Sequence, residues 1–217
     1  VYDFKFKYSC QKADKIIAIS ESTKKDIIKF YNINPSKIQV IYQACNPLFY
    51  TLQSNTSVQK IMDQYKLPQD FLLYVGSVIE RKNLLNIVKA HEQLPENLKI
   101  PLVIIGKGKE YKEKVKTYIQ SKRIEENFIW IDNLVNNSHL QALYQQAKIF
   151  IYPSVYEGFG IPVVEALLSK TPVITSNTSS LPEAAGPNSF CIDPTNHEQI
   201  AHKIEQILSN KELAQNM

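Results

Sequence analysis

The sequence predicts an α/β fold in which a parallel β-sheet carries helices on both faces, because short apolar runs alternate with helical patterns along most of the chain. The predicted strands are continuous apolar runs rather than alternating ones, which is typical of strands buried on both faces. The connections are short, and the sequence contains no internal repeat. In such a sheet, ligands bind at the carboxyl ends of the strands, where loops lead into helix N-termini.

The first predicted strand, at residues 15–20, leads into a helix at 20–31 that Ser20 or Ser22 would cap, and a second strand follows at 37–42. Residues 43–57 contain an Asn-Pro pair and a run of Ser, Asn and Thr, so we interpret this segment as a linker. Further strands are predicted at 71–75, 100–105, 128–131, 149–152, 172–175 and 190–192. The helices that alternate with them are predicted at 83–94, 109–122 and 138–147, from Pro162 onwards, after Ser180, and at 195–208.

Two of these helix starts carry the pattern of a capping box. Ser138 is followed by Gln141, and Thr195 is followed by Glu198. In a capping box the first side chain accepts a hydrogen bond from a backbone N–H group of the first turn. We therefore expect Ser138 and Thr195 to be the N-caps of their helices.

The composition narrows the classes of protein. Hydrophobic residues make up 44% of the 217 residues, enough for one large domain with a core. The formal net charge of +4 suits a phosphate-bearing ligand, an anionic membrane surface or an ordinary lysine-rich surface. No basic block with interleaved aromatic residues occurs, so we expect no nucleic-acid partner. The scattered cysteines Cys10, Cys45 and Cys191 indicate a reducing compartment and no structural zinc, and no apolar run approaches the roughly 18 residues of a membrane span.

The loop after residue 75 combines a glycine with two cations ahead of a predicted helix. Gly76 leaves the strand, Arg81 and Lys82 follow, and Asn83 is a candidate N-cap. Free N–H groups at a helix start bind anions, and neighbouring cations strengthen that binding. The pair therefore favours a bound phosphate, although a solvated Arg-Lys pair fits the sequence equally well. Residues 106–109 (G-K-G-K) lack a full phosphate-loop pattern and are interpreted as a tight strand-to-helix turn.

A glycine-bearing turn precedes the helix predicted from Pro162, and it has the carboxylates Glu157 and Glu165 on either side. Gly158 and Gly160 allow the backbone to approach a ligand closely or to adopt positive φ. Glu165 is predicted in the first helical turn, where a carboxylate also stabilises the helix dipole. Each acid alone is explained more simply as a dipole-stabilising or solvated residue. Two acids together at the ligand end of the sheet, opposite a cationic loop, favour a ligand site.

The stretch from Glu157 to Glu165, E-G-F-G-I-P-V-V-E, resembles the E-G-F-G-x-P-x-x-E signature of the retaining glycosyltransferases of family four, within the group 1 glycosyltransferases. The residues before and after it, Y-P-S at 152–154 and T-P-V-I-T at 171–175, resemble the family in the same order. Residues 74–76 with 81–83 resemble its diphosphate loop, and residues 13–20 resemble the strand and turn that close its N-terminal domain. The resemblance covers nearly all of the chain and implies the two-domain glycosyltransferase B fold.

The resemblance implies that the chain is the C-terminal, donor-binding half of that fold, and that a sugar is transferred from a nucleotide diphosphate donor with retention at the anomeric carbon. No metal or other cofactor is implied. Glu157, Arg81 and Lys82 form the implied catalytic set, in which the cations stabilise the departing diphosphate and Glu157 lies near the donor sugar. Ser77 stands where some members carry an arginine, so diphosphate binding would depend on the two cations. Glu165 would accept hydrogen bonds from the ribose hydroxyls.

The implied donor-binding set is drawn from the loops at the strand ends. It comprises Gly76, Ser77, Leu134, Gly158, Phe159, Gly160, Ile161 and Glu165. Leu134 belongs to the loop 132–135 that would flank the base, and the backbone N–H groups of 158–161 would contact sugar or phosphate. Glu183 would either position the helix that follows it or contact the ligand, although it is explained more simply as an acid in the first turn of a helix.

The resemblance also implies a domain organisation. Residues 1–42 would be a remnant of the N-terminal acceptor domain with the crossover, 43–57 a linker, and 58–217 a Rossmann-like donor domain truncated before its final helix. We expect such a fragment to bind nucleotide and to transfer little or no sugar. The implied partners are a GDP- or UDP-hexose, mannosyl or glucosyl, and a glycan or lipid-linked acceptor held by the missing N-terminal domain. Polysaccharide biosynthesis in the cytoplasm, with peripheral contact at the inner face of the plasma membrane, is the expected setting.

Two other classes fit the same residues. One is a non-catalytic nucleotide- or phosphate-binding module on a Rossmann-like sheet, and the other is a phosphorylase or sugar-nucleotide epimerase of the same fold. A binding module predicts equal losses of binding when Arg81 or either glutamate is replaced. A transferase predicts that Glu157→Ala loses turnover more than nucleotide affinity, and phosphate-dependent cleavage of a disaccharide would favour a phosphorylase.

Overall fold

The computed structural model describes residues 2–217, and the N-terminal part of this range forms a small parallel sheet of its own. Its elements in order are α1 (Tyr2–Lys12), β1 (Ile16–Ala18), α2 (Glu21–Tyr31) and β2 (Ile38–Val40). The two strands pair in parallel with Ile16 opposite Ile38. The buried apolar side chains of this part are Cys10, Ala18, Ile33 and Ile38.

The larger sheet has six parallel strands. They are β3 (Leu72–Val75), β4 (Leu102–Ile105), β5 (Phe128–Ile131), β6 (Ile149–Tyr152), β7 (Val173–Ser176) and β8 (Phe190–Ile192). Every residue of β4, β6 and β7 is buried, as expected for strands covered on both faces. The predicted parallel sheet is therefore confirmed.

Helices cover both faces of this sheet. They are α3 (Asn55–Gln64), α4 (Leu84–Glu92), α5 (Glu110–Lys122), α6 (Asn137–Gln146), α7 (Ile161–Leu168), α8 (Leu181–Ala185), α9 (His197–Ser209) and α10 (Lys211–Asn216). Leu73 and Phe150 point into the core formed with α3, α6, α7 and α8. Leu72 and Ile151 point into the core formed with α4, α5 and α9, because successive side chains of a strand lie on opposite faces.

The strand order of the larger sheet is β5-β4-β3-β6-β7-β8. From β3 the chain runs outward through β4 to β5, then returns to β6 beside β3 and continues through β7 to β8. The direction of winding therefore reverses between β3 and β6. Ligands of open α/β sheets bind at such a reversal, outside the carboxyl ends of the strands. The loops that follow β3 and β6 frame the candidate site.

Three α-helices of the described residues, α1, α3 and α10, are absent from the sequence predictions. Nearly every residue of α1 is exposed or only partly buried, so it lacks the apolar periodicity that indicates a helix. α3 begins inside the segment 43–57, where the Ser54 side chain accepts a hydrogen bond from Ser57 N–H. The same segment contains a 3-10 helix, Pro47–Tyr50, whose Phe49 is fully buried. The polar residues that indicated a loop therefore form the N-cap, Ser54, and the first turn of α3.

Both predicted capping boxes are wrong in the identity of the cap. Asn136, rather than Ser138, caps α6, and the buried side chain of Gln141 bonds to other parts of the chain. Asn196, rather than Thr195, caps α9. Asn136 stands two residues before the predicted cap of α6, Asn196 stands one residue after the predicted cap of α9, and asparagine is at least as good an N-cap as serine or threonine.

Three further findings concern membranes, disulfides and metals. No helix in the part of the chain that the structure describes is long and apolar enough to cross a membrane. The cysteines are free thiols, with Cys10 and Cys45 buried and Cys191 exposed. Among residues 2–217 no group of three or more His, Cys, Asp and Glu side chains is placed to hold a metal ion.

Candidate functional site

The loops after β3 and β6 are joined to each other at the carboxyl edge of the sheet. The Ser154 Oγ atom lies 3.0 Å from the carbonyl oxygen of Arg81, and the N–H group of Val155 donates to that oxygen at 2.9 Å. Arg81 and Lys82 belong to a short 3-10 helix, Glu80–Lys82, between β3 and α4. Backbone contacts therefore hold both cations beside the loop that follows β6.

Glu157 is paired with both cations. Its Oε1 atom lies 2.6 Å from Lys82 Nζ and 2.8 Å from Arg81 Nη1. The hydroxyls of Ser154 and Tyr152 donate to the same oxygen at 2.6 and 3.2 Å. The side chains of Lys82 and Glu157 are 13% and 12% exposed, whereas that of Arg81 is 43% exposed. The structure thus brings the implied catalytic set together in one group of five residues, which we call the Glu157 cluster.

The electrostatics of the Glu157 cluster favour an ionised carboxylate. Burial raises the pKa of the Glu157 carboxyl, but hydrogen bonds and charges from Lys82, Ser154 and Arg81 outweigh burial and hold the pKa below its ordinary value. Burial, reinforced by the Glu157 carboxylate, raises the pKa of the Tyr152 hydroxyl, which therefore stays a neutral donor. The Lys82 ammonium lies 4.7 Å from the centroid of the Tyr152 ring, a cation–π distance. Two cations and one carboxylate leave an excess positive charge that suits an anionic ligand.

Glu165 occupies a different environment. The sequence predicted Glu165 in the first turn of α7. The helix begins at Ile161, so Glu165 lies beyond that turn. The Tyr144 hydroxyl donates to Glu165 Oε2 at 3.3 Å, and burial raises the pKa of the Glu165 carboxyl to about 7. The charges of both Glu157 and Glu165 raise the pKa of Tyr152, so the two carboxylates act on the same tyrosine. One acid is neutralised by cations, and the other takes up a proton near neutral pH.

The turn between the two acids is shaped by protein contacts and leaves backbone donors open. Gly160 has a φ of +120°, which is strained for any other residue, and a Cβ atom there would lie 2.9 Å from Leu181 Cδ2 and force this side chain of α8 to shift. The Phe159 side chain is buried and stacks on Tyr42, with ring centroids 5.6 Å apart. The backbone N–H groups of Phe159, Gly160 and Ile161 have no acceptor within the part of the chain that the structure describes. Such groups at the start of a helix are donors for an anion.

Gly76 and Ser77 follow β3 and pack against the turn after β4. A Cβ atom on Gly106 would lie 1.8 Å from the Gly76 carbonyl oxygen, so the two backbones are in direct contact. The N–H group of Val78 donates to the Lys107 carbonyl oxygen at 2.8 Å, and the Ser77 side chain is exposed. The turn after β4 therefore supports the loop that carries the two cations.

The start of α4 differs from the predicted anion site. Asn83 has a φ of 61°, and its side chain donates to the carbonyl oxygens of Pro153 and Pro194 at 3.1 and 2.6 Å rather than capping the helix. The N–H group of Leu85 donates to the Tyr111 hydroxyl at 3.0 Å. At least one N–H group that was expected to bind an anion at the start of α4 therefore already has a protein acceptor. The N–H groups at the start of α7, by contrast, are unpaired.

Leu134 lies in the loop between β5 and α6, where it packs against the core on the α3 and α6 face. The Tyr65 hydroxyl accepts a hydrogen bond from Val135 N–H at 3.2 Å, and Asp132 is paired with the buried Lys112. No hydrogen bond or ion pair between described residues connects this loop to the Glu157 cluster. A role for Leu134 beside the base stays a prediction.

The N-terminal part of the chain contacts the glycine turn, and this contact was not predicted from the sequence. Ser20 caps α2, as predicted, and its Oγ atom also lies 2.8 Å from the Gly158 carbonyl oxygen. Glu183 accepts hydrogen bonds from the N–H groups of Glu21 and Ser22 at 2.7 and 2.8 Å. Its partner is therefore the start of α2. Contacts between such distant segments have no local sequence signal.

Three side chains that bond to the two acids were also missed as site residues: Tyr144, Tyr152 and Ser154. Tyr152 ends β6 and Ser154 lies two residues beyond it. Polar groups at the end of an apolar strand are a usable signal, because parallel sheets bind ligands there. Tyr144 is fully buried in α6 and gives no such signal.

Two family models match the chain. One, described as glycosyl transferases group 1, matches residues 57–217, and another, described as glycosyltransferase family 4, matches residues 2–47. O-antigen chain mannosyltransferase B of Escherichia coli is 30% identical over 205 residues, which are 93% of this chain and 53% of that protein. O-antigen chain mannosyltransferase RfbU of Salmonella typhimurium is 26% identical over 95% of this chain and 54% of that protein. The chain thus spans about half the length of these relatives.

Solved structures of glycosyltransferases share the fold. A glycosyltransferase from Rickettsia africae matches with a TM-score of 0.84 and 21% identity, over 98% of this chain and 59% of that one. The Anabaena protein Alr3699/HepE, in complex with UDP-glucose, matches with a TM-score of 0.85 and 17% identity, over 96% of this chain and 58% of that one. These likenesses confirm the predicted fold.

Proposed function

This chain belongs to the group 1 glycosyl transferases, and we propose that it supplies the donor-binding part of a hexosyltransferase that uses a nucleoside diphosphate sugar. The transferred group is mannosyl or glucosyl, and the anomeric configuration is retained. Similarity to two O-antigen chain mannosyltransferases supports the first sugar, and the fold shared with HepE in complex with UDP-glucose supports the second.

The observation that carries this proposal is the excess positive charge of the Glu157 cluster beside open N–H donors. Arg81 and Lys82 lie at the reversal point of the sheet, and the unpaired N–H groups at the start of α7 follow Glu157 in the chain. A diphosphate that bridges these two sets of donors would have its charge stabilised as it leaves the sugar. Preorganised donors of this kind are a large contribution to catalysis.

The two cations would play different roles. Arg81 is the more exposed one, and its guanidinium would turn towards a diphosphate from its present acceptors, Glu157 and the Tyr156 carbonyl oxygen. Lys82 is held between the Glu157 carboxylate and the Tyr152 hydroxyl and would provide a fixed charge. Glu157 would keep both cations in place and would face the donor sugar once the diphosphate has engaged them.

Glu165 would bind the ribose of the nucleotide. A carboxylate accepts hydrogen bonds from both hydroxyls of a diol, and only its ionised form has the full acceptor capacity. Its pKa of about 7 makes the ionised and protonated forms similar in population near neutral pH. Ribose hydroxyls would draw the equilibrium towards the carboxylate, because hydrogen bonds to the charged form stabilise it.

We also propose the remaining organisation that the family resemblance implies. In this organisation, residues 1–42 belong with the acceptor side, 43–57 connect, and 58–217 bind the donor. The separate family-model matches at residues 2–47 and 57–217 support a division within or near the linker. The acceptor is a glycan or lipid-linked saccharide, and the enzyme acts in the cytoplasm, in contact with the inner face of the plasma membrane.

The test is nucleotide binding by the 217-residue chain. Thermal unfolding is measured with UDP, GDP, UDP-glucose and GDP-mannose, because a ligand that binds the folded state raises Tm according to its concentration over Kd. We expect one base series to stabilise the chain, and the double variant Arg81→Ala, Lys82→Ala to lose that stabilisation. The control is Lys114→Ala, which removes an exposed pair with Glu80. The absence of stabilisation by all four nucleotides at millimolar concentration would overturn the proposal.

A further inference from the structure

We infer that Ser20 and Glu183 are positioning residues for the glycine turn. They fix the start of α2 against Gly158 and thereby hold Glu157 and the open N–H groups of α7 where the donor sugar and diphosphate bind. The inference rests on the proposed function, because it assigns to these two residues an effect on donor binding at the same site.

The turn is held through three successive carbonyl oxygens. The buried Ser180 hydroxyl lies 2.9 Å from the carbonyl oxygens of both Glu157 and Phe159. The carbonyl oxygen between them, that of Gly158, lies 2.8 Å from the buried Ser20 hydroxyl. Ser180 belongs to the same part of the chain as α8, whereas Ser20 belongs to the small N-terminal sheet. The middle of the turn therefore depends on a residue from the other end of the chain.

Further contacts around Gly158 come from the same N-terminal stretch. The Thr23 hydroxyl lies 3.2 Å from the Gly158 carbonyl oxygen. A Cβ atom on Gly158 would lie 3.0 Å from Ile19 Cδ1, so the turn and the end of β1 are in close contact. The Tyr156 hydroxyl donates to Asp26 Oδ2 of α2 at 2.5 Å. The start of α2 thus packs on the turn from several sides.

Glu183 fixes the orientation of α2 in this contact. Its two carboxylate oxygens each accept one N–H group, from Glu21 at 2.7 Å and from Ser22 at 2.8 Å. A carboxylate at a helix start satisfies unpaired donors and interacts favourably with the helix dipole. Since Glu183 lies in the first turn of α8 and Ser180 caps α8, one short helix holds both the turn and the segment that packs on it.

The consequence for the site follows from chain connectivity. Glu157 directly precedes Gly158, and the open N–H groups of Phe159 to Ile161 directly follow it. A displacement of Gly158 moves the carboxylate and the anion donors together, whereas Glu165 is held separately through the buried Tyr144. Loss of the contact should therefore weaken recognition of the sugar and diphosphate more than recognition of the nucleoside.

The experiment compares three ligands of the base series that the wild-type chain prefers: the nucleoside monophosphate, the diphosphate and the diphosphate sugar. The variants are Ser20→Ala and Glu183→Gln, singly and together, and each is titrated calorimetrically after its Tm has been recorded. Glu198→Gln is the matched control, because Glu198 is an exposed acid in the first turn of α9.

We expect the Kd for the diphosphate sugar to rise about five- to tenfold in each single variant, the effect of losing one hydrogen bond to a charged or buried group. The Kd for the monophosphate and all values for the control should match the wild type. The double variant should lose less than the product of the single losses, because both residues act through one contact.

Two results would overturn the inference and leave the proposed function intact: an unchanged Kd for the diphosphate sugar in both single variants, or equal losses for the monophosphate and the diphosphate sugar. The second result would show a general loss of structure. A wild-type chain that binds none of the three ligands overturns the proposed function and the inference with it.

Discussion

The Oε1 atom of Glu157 lies 2.6 Å from the Nζ atom of Lys82, and both side chains are almost buried, at 12% and 13% exposure. The two residues come from loops on either side of the reversal point of the sheet. Removing one partner of such a pair leaves a charge with little solvent to compensate it. Predictions about this pair therefore concern stability as well as ligand binding.

Replacing Glu157 with Ala should reduce sugar transfer about 100-fold while the Kd for the nucleoside diphosphate changes less than about threefold. The reason is that the backbone of Arg81 is also held by Ser154 and Val155, so that both cations stay near the diphosphate, whereas the group that faces the sugar is lost. The measurements are kcat in a preparation that transfers sugar and Kd by calorimetry. Parallel losses of turnover and affinity would instead support the non-catalytic binding module.

Replacing Lys82 with Met should lower the free energy of unfolding by about 1–3 kcal/mol, less than for a fully unpaired buried charge because Arg81 still neutralises Glu157. Urea unfolding at pH 7 measures the change. Lys114→Met is the control, because Lys114 and its partner Glu80 are 59% and 76% exposed and such pairs contribute about 0–1 kcal/mol. Equal effects of the two substitutions would contradict the burial of the Glu157 cluster.

Glu165 should make the free energy of unfolding fall as pH rises from about 4.5 to about 7. Its pKa is about 7 in the folded chain, against an ordinary value of 4.5, so between these pH values the folded chain holds a proton that the unfolded chain has released. In Glu165→Gln this dependence is absent. The stability of the variant relative to wild type should therefore increase from pH 5 to pH 8, by on the order of 1–3 kcal/mol. Urea unfolding at several pH values tests this, with Glu198→Gln as the control, and a constant difference would contradict it.

Glu165 should also confer a preference for ribose over deoxyribose. We expect 2′-deoxy-UDP or 2′-deoxy-GDP to bind the wild type roughly tenfold more weakly than the parent diphosphate at pH 8, because one hydrogen bond to a charged group is lost. The ratio of the two Kd values should approach one in Glu165→Gln, and it should shrink in the wild type as pH falls below 7. A ratio that is the same in both proteins would remove Glu165 from the ribose site.

Replacing Gly106 with Ala should destabilise the chain by about 3 kcal/mol or more, because the new Cβ would clash with backbone rather than with a movable side chain. That Cβ would lie 1.8 Å from the Gly76 carbonyl oxygen. Gly186→Ala is the matched control, since Gly186 has a φ of +66° and a ψ of −175°, a conformation that favours glycine, but nothing within 4 Å of the added Cβ, and it should cost about 1–3 kcal/mol from backbone strain alone. Urea unfolding measures both, and similar costs would show that the contact with Gly76 is not tight.

Periodicity and composition predicted most of the larger sheet. Buried strands such as β4 (Leu102–Ile105) are continuous apolar runs, and hydrophobic burial favours them whatever their partners. The wrong predictions concern helix starts, where several neighbouring residues could serve as the N-cap. Asn136 and Asn196 cap α6 and α9 in place of the predicted residues, and α3 begins in a segment whose polar residues suit either a loop or a helix start.

The sequence by itself determined the α/β class, the carboxyl-edge loops, and the two acids around the glycine turn, because these depend on residue type and spacing along the chain. The tertiary structure decided that Glu157 pairs with Lys82 whereas Glu165 is buried beside Tyr144, so that similar carboxylates have opposite shifts in pKa. It also decided that Ser20 and Glu183 meet at the turn. Charge state and long-range contacts depend on what surrounds a side chain in space, which no local pattern records.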